Sequence, residues 1–285
     1  MNMRIGTLTA VAALTVSAGF AGAADKVVED KVISLQRAAL AESTKCAGFG
    51  PQAPRDIDTL KGMNSRFFQL SPPATQMNLC NIHFHESAEH KGGEFSKFAG
   101  NGDGKGSGTG YLYSGELTDA EKAPYANTVG AGKYGELAPG DTIEVHFVHT
   151  SAQVVPGPTL GSCLSESIGN PQLRVEAQVY VLVNDESAAD FAAQAKVVKA
   201  DGFYQAAAIP SDTGSPIEYT GSTTGPGYNE KGSPFQVSWS VRPKVQKVSI
   251  QSVEAWLGDN PFDETAAHGV RNLVTNLDLL SKAGL

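Results

Sequence analysis

The sequence predicts a mainly β protein, a single domain around a large, mostly antiparallel twisted sheet with short helices at its periphery. Three observations point there. Apolar residues recur with period two in several short runs rich in Val, Ile, Phe and Trp. The 31 glycines and 15 prolines fall mostly between those runs, where turns belong. Helical patterns are few and short, so the sheet must supply the core.

The chain opens on Met1-Asn2-Met3-Arg4, an apolar run from Ile5 to Phe20, and the small-residue group Ala21-Gly22-Ala23. That layout reads as a secretory signal cleaved near Ala23. The apolar run is short for a membrane span, and no later stretch approaches that length. Residues 1–23 are therefore read as a signal, and residues 24–285 as one catalytic domain that is periplasmic or secreted. Asp25–Ala41 is polar and helix-compatible, and Cys46–Pro54 is loop-like. Met77–His85 and Thr142–His149 alternate as strands do. Leu173–Val183, Phe235–Arg242 and Val245–Ile250 follow the same logic. Asp119–Tyr125, Ser187–Lys199 and Ser252–Leu257 look helical, with a last turn near the C-terminus. There is no internal repeat.

The glycine-rich stretch Asn101–Gly110 reads as a flexible surface loop. A phosphate loop would need glycine where Ala99 stands and Ser or Thr where Gly106 stands. A calcium loop would need oxygen ligands where Lys105 and Leu112 stand.

Twenty-two basic and 30 acidic residues give a net charge of −8. Removing Arg4 with the signal leaves 21 basic residues and a net charge of −9. That balance argues against nucleic acid or an anionic membrane as partner, since both need clustered Lys and Arg. It suits an exported enzyme with a small substrate. The sequence does not set the oligomeric state, and a homodimer is one candidate. An exported chain with Cys46, Cys80 and Cys163 is expected to form one disulfide and keep one thiol. Of the three pairings, Cys80–Cys163 is preferred; the alternative is three small buried apolar residues.

The six histidines carry the chemistry: five of them, His83, His85, His90, His146 and His149, lie in two short segments. His83-Phe84-His85 on a strand puts both imidazoles on one face and Phe84 on the other. His146 comes from a second strand, where Glu144 shares its face. Three neutral imidazoles suit Zn²⁺ with a fourth position left for water, the arrangement of a catalytic rather than a structural site. A metal-bound His usually donates its second N–H to an acceptor. Glu144 is placed to accept from His146, and Asn81, two residues before His83, from that ring.

Together these segments resemble a carbonic anhydrase. NIHFHESAEH resembles the strand bearing two metal ligands followed by a Glu-His pair, and IEVHFVHTSA the strand with the third ligand and its orienting Glu. YTGSTTGPGYNEKGSPFQVSWSVRPKVQKVSIQSVEAWL resembles the alpha-class stretch from a Gly-Ser-x-Thr loop through a Trp-bearing strand into a final helix. GPQAPRDI resembles the Gln-Ser-Pro-Ile segment, with Ala53 where Ser is usual. The order of the four holds over about 210 residues, Gly50 to Leu257. Two departures shift the likeness from alpha toward delta class. No histidine stands between GPQAPRDI and the first ligand, so the usual proton shuttle has no counterpart. His85 is followed by Glu86 rather than Trp-Gly, and His-x-His-x-x-x-Glu-His looks more like the delta class. The chain thus resembles a bacterial delta-class enzyme with an alpha-like fold.

That resemblance implies reversible hydration of CO₂ to bicarbonate and a proton by zinc-hydroxide attack, with Co²⁺ or Cd²⁺ as substitutes for Zn²⁺. His83, His85 and His146 match the metal ligands. Thr224 matches the threonine that accepts from zinc hydroxide, and Glu89 the glutamate that orients it. Val148, Val237 and Trp239 match the apolar CO₂ pocket, and His90 and His149 match structural hydrogen-bonders. Two rivals remain. A cupin-type Fe or Mn metalloenzyme would use Glu89 as a ligand within HFHESAE, with Ala138-Pro139-Gly140 before the last His. A non-catalytic periplasmic zinc-binding protein would keep the ligands without the activity.

Overall fold

The computed structural model describes residues 29–44, 52–66, 68–103, 108–222, 235–271 and 277–282. Its main sheet is built from β1 (Asn78–Glu86), β2 (Thr142–Thr150), β3 (Leu173–Val183), β4 (Ile217–Gly221), β5 (Val237–Val241), β6 (Gln246–Ser249) and β7 (His268–Gly269). The order across the sheet is β4-β5-β3-β2-β1-β7. The first half of β3 pairs with β5 and its second half with β6.

The sheet is mixed, which corrects the expectation of a mostly antiparallel one. The pairs β1/β2, β2/β3 and β4/β5 run antiparallel. The pairs β3/β5, β3/β6 and β1/β7 run parallel. Alternation of apolar residues reports that a strand has two faces and says nothing about the direction of its neighbour. Strands β5, β6 and β7 reach their parallel partners by long crossovers, which parallel pairing requires.

Both faces are covered. On one, Ile82, Phe84, Ile143, Val145 and Phe147 pack against Phe191 and the helix α3 (Ile250–Gly258). The Phe84 ring lies 5.9 Å from Trp256 and 6.2 Å from Phe191. Burying each such side chain fully contributes about 1.5–3 kcal/mol, so this layer fixes which face of β1 turns inward. The opposite face carries Val148, Val175, Ala177, Val179, Val237 and Trp239, and with them His83, His85 and His146.

A β-bulge interrupts β1 between Leu79 and Asn81. Leu79 and Ile82 therefore both join the first core layer although three residues apart, and Cys80 turns to the other face. There it is bonded to Cys163, with the two Cα atoms 5.0 Å apart. Cys46 lies outside the described residues, as do the proposed signal and residues 104–107 of the glycine-rich loop.

The helix expectations fared unevenly. The lead-in forms α1 (Asp30–Thr44), and Ser252–Leu257 falls within α3. Asp119–Tyr125 is a turn: Thr118 and Glu121 cap each other, and Pro124 then prevents continuation. Ser187–Lys199 contains only the short α2 (Phe191–Gln194), and Val197–Ala200 pairs with Phe203–Ala206 as a hairpin. The Asp201-Gly202 turn explains this, with φ of 51° and 88°; positive φ at both centres is the tight hairpin turn that Asp-Gly favours. No helix among the described residues is long and apolar enough to cross a membrane.

Candidate metal centre

Register brings the chemistry together. β1 and β2 pair so that His83 faces His146, His85 faces Glu144, and Asn81 faces Val148. Directly opposed residues on one face have Cβ atoms about 5 Å apart. The ring centroids follow: 5.1 Å from His83 to His146, 4.8 Å from His85 to His146, and 5.4 Å from His83 to His85. Each ring offers a nitrogen, and the three lie within 4.8 Å of one another. On the far side of β2, the small side chain of Ala177 stands opposite His146 and leaves the ring room.

Hydrogen bonds fix which nitrogens face inward. Asn81 Nδ2 donates to the Gly157 carbonyl at 3.1 Å, so its Oδ1 must be the atom 2.6 Å from His83 Nδ1. An amide oxygen only accepts, so His83 carries its proton on Nδ1 and presents a bare Nε2. His146 Nε2 donates to Glu144 Oε1 at 2.8 Å, which leaves Nδ1 bare. His85 Nδ1 is buried and has no hydrogen-bond partner. Three imidazoles offering nitrogens to one point, with one orphaned polar atom among them, fit a soft-to-borderline divalent ion of the zinc type.

Burial keeps the two rings on β1, His83 and His85, neutral. Burial, reinforced by His146 and His85, holds His83 well below the ordinary imidazole value. Burial brings His85 down to about 3 against the opposing pull of Glu89, and His149, which donates from Nδ1 to the Phe147 carbonyl at 3.0 Å, down to about 4. The consequence for stability has a definite sign. The unfolded chain takes up these protons near pH 6.5, the folded chain only well below it. The stabilisation from His85 and His149 is therefore complete above about pH 6.5. In the metal-free protein it falls by roughly 1.4 kcal/mol per histidine per pH unit as acid is added. Urea melts of metal-free protein between pH 7.5 and 4.5 should show this loss beginning near 6.5; a flat profile to pH 4.5 would contradict it.

The chain after β1 folds back over the site. Ser87 sits at φ 69°, and the next turn brings His90 beneath Glu144. Glu144 accepts from the His90 backbone N–H at 3.0 Å and from His90 Nδ1 at 2.6 Å. Burial works to raise the Glu144 carboxyl, and the donors from His90 and His146 more than offset it, so it stays ionised. Glu89 Oε2 lies 3.5 Å from His146 Nε2. Burial would raise Glu89 too, but Arg55 beside it holds it at about 2.

A cavity of about 320 Å³ opens above the rings. Val148, Val237 and Trp239 line it, together with Leu173, Val175, Thr159 and Leu160. Thr224 lies outside the described residues. Sequence reasoning missed several members, three of them polar groups with partners at the site. His268 reaches the cavity on β7, paired with His85, its ring 5.6 Å from His83 and 5.9 Å from His85. Glu264 holds His268 Nε2 at 2.8 Å. Arg55 reaches Glu89 and His90 from below. A lone His on a two-residue strand has no periodicity to betray it. Arg55 was visible only as part of GPQAPRDI.

Residues 74–252 match the family model described as delta carbonic anhydrase. Comparison with curated protein sequences gives no match. Among solved structures, an alpha-carbonic anhydrase of Photobacterium profundum is similar at 16% identity, over 83% of this chain and 92% of that one, with a TM-score of 0.26.

Proposed function

This chain belongs to the delta carbonic anhydrase family, and we propose that it runs the reversible hydration of CO₂ at a zinc ion held by His83, His85 and His146. The observation that carries the reading is the convergence of three bare imidazole nitrogens on one side of β1 and β2. Zinc held by three imidazoles lowers the pKa of a coordinated water to about 7. The chain's own residues do the rest. Asn81 and Glu144 fix two of the rings in the ligating tautomer. Val148, Val237 and Trp239 offer an uncharged gas an apolar wall. Glu89 is an ionised acceptor at the cavity edge, suited to hold a hydroxyl such as that of Thr224 as donor. The Cys80–Cys163 bridge supports export to an oxidising compartment.

The proton released needs a way out. His268 is half-exposed, hydrogen-bonded to Glu264, and borders the same cavity. It is the imidazole placed to pass that proton to solvent. His268→Ala is expected to lower maximal turnover on the order of 10²-fold, to leave kcat/KM for CO₂ nearly unchanged, and to be rescued by imidazole buffer. Equal losses in both parameters would contradict the relay.

Metal analysis of purified protein tests the assignment. One zinc per chain is expected. Iron or manganese bound with a carboxylate would favour the cupin reading instead.

A further inference from the structure

Glu89 poses a problem for an open metal site. It is a carboxylate lining the cavity with the three imidazoles, and carboxylates are ligands for the same ions. Swung inward, it would fill the position that water must occupy. One residue opposes that movement. Arg55, only 7% exposed, has one guanidinium nitrogen 2.5 Å from Glu89 Oε1. Its Nη1 is 3.2 Å from His90 Nε2, and its guanidinium carbon stands 4.8 Å over the Trp239 ring centre. The backbone anchors it as well: Lys91 N–H donates to the Arg55 carbonyl at 2.7 Å.

The two arms of the guanidinium have different effects. A guanidinium donates and never accepts, so the arm on His90 makes Nε2 the acceptor and puts that ring's proton on Nδ1, where it donates to Glu144. The arm on Glu89 gives a buried carboxylate a fixed countercharge. Arg55, Glu89, His146, Glu144 and His90 thus close a buried circuit around one ligand. A planar fork held at both ends and stacked on an indole is stiffer than an ammonium would be.

We propose that Arg55 is a positioning residue that restrains Glu89 from becoming a fourth metal ligand and so keeps a coordination position open for water. The proposal rests on the three-histidine zinc reading above. Its physical core is a choice of partner for a buried charge. With Arg55 present, Glu89 is neutralised where it stands. Without Arg55, an unpaired buried carboxylate is strongly disfavoured, and the nearest replacement cation is the metal.

Cobalt(II) reports the outcome without reference to turnover, because an added anion such as azide perturbs its visible bands only where a coordination position is open to exchange. Wild-type full chain loaded with Co²⁺ is expected to shift its bands when azide is added. Arg55→Met is expected to lose most of that response, and Arg55→Gln, which removes the charge but keeps hydrogen-bonding bulk, is expected to do the same should the methionine variant fold poorly. The double variant Arg55→Met, Glu89→Gln is expected to recover the azide response, since the competing carboxylate is gone. A response unchanged in folded single variants would overturn the role given to Arg55, as would loss that Glu89→Gln fails to restore. Failure of wild-type protein to bind Co²⁺ or Zn²⁺ would instead overturn the metal reading beneath it.

Discussion

Replacing His146 with alanine is expected to strip the protein of its metal and reduce CO₂ hydration to the rate of the buffer. His146 is the ring that meets both other ligands and the two carboxylates Glu144 and Glu89. Its centroid is the nearest neighbour of His85, and it stands opposite His83 across the β1/β2 pair. Removing an orienting partner of a metal ligand costs 10–100-fold in affinity; removing the ligand must cost more, because two imidazoles cannot hold a tetrahedral ion against water. Melting temperature separates this from misfolding. Zinc content and hydration that survive His146→Ala in a folded protein would remove the central residue from the site.

Glu144→Ala is expected to have the largest effect on the fold of any single change near the site. Glu144 is wholly buried and accepts three hydrogen bonds, from the His90 backbone, His90 Nδ1 and His146 Nε2. Its loss leaves those donors without an acceptor in a region closed to water. Breaking such a buried charged network costs about 3–5 kcal/mol. Metal affinity should fall by roughly a further 10–100-fold, since His146 loses its orientation. Chemical denaturation and zinc competition read the two effects separately. Unchanged stability would mean that water reaches the donors and that Glu144 is no keystone.

How much of this was legible in the sequence depended on how local the signal was. Period-two alternation is a property of a few neighbouring residues, so the shared face of His83 and His85, and that of Glu144 and His146, could be read directly. That the two faces coincide is a matter of register, and the register holds because Phe84, Val145 and Phe147 are buried on the opposite side. A slip of one residue would turn them out of that core and toward the site. What resisted reading was non-local. The parallel pairing of β7 with β1, which delivers His268, involves only two residues. The bulge at Cys80 breaks the alternation that the strand otherwise obeys. The segment carrying Arg55 has no pattern of its own; backbone bonds from Ala53 to Ser222 and from Lys91 to Arg55 hold it in place. In Ser187–Lys199 the helical period competed with Asp201-Gly202, and the turn chemistry won.

Stopped-flow CO₂ hydration by the purified protein, before and after metal removal by a chelator and again after zinc is restored, decides the main point. Activity that disappears with the metal and returns with zinc is the expected result. Hydration that continues at full rate in metal-free protein would show that the three histidines are not the working centre.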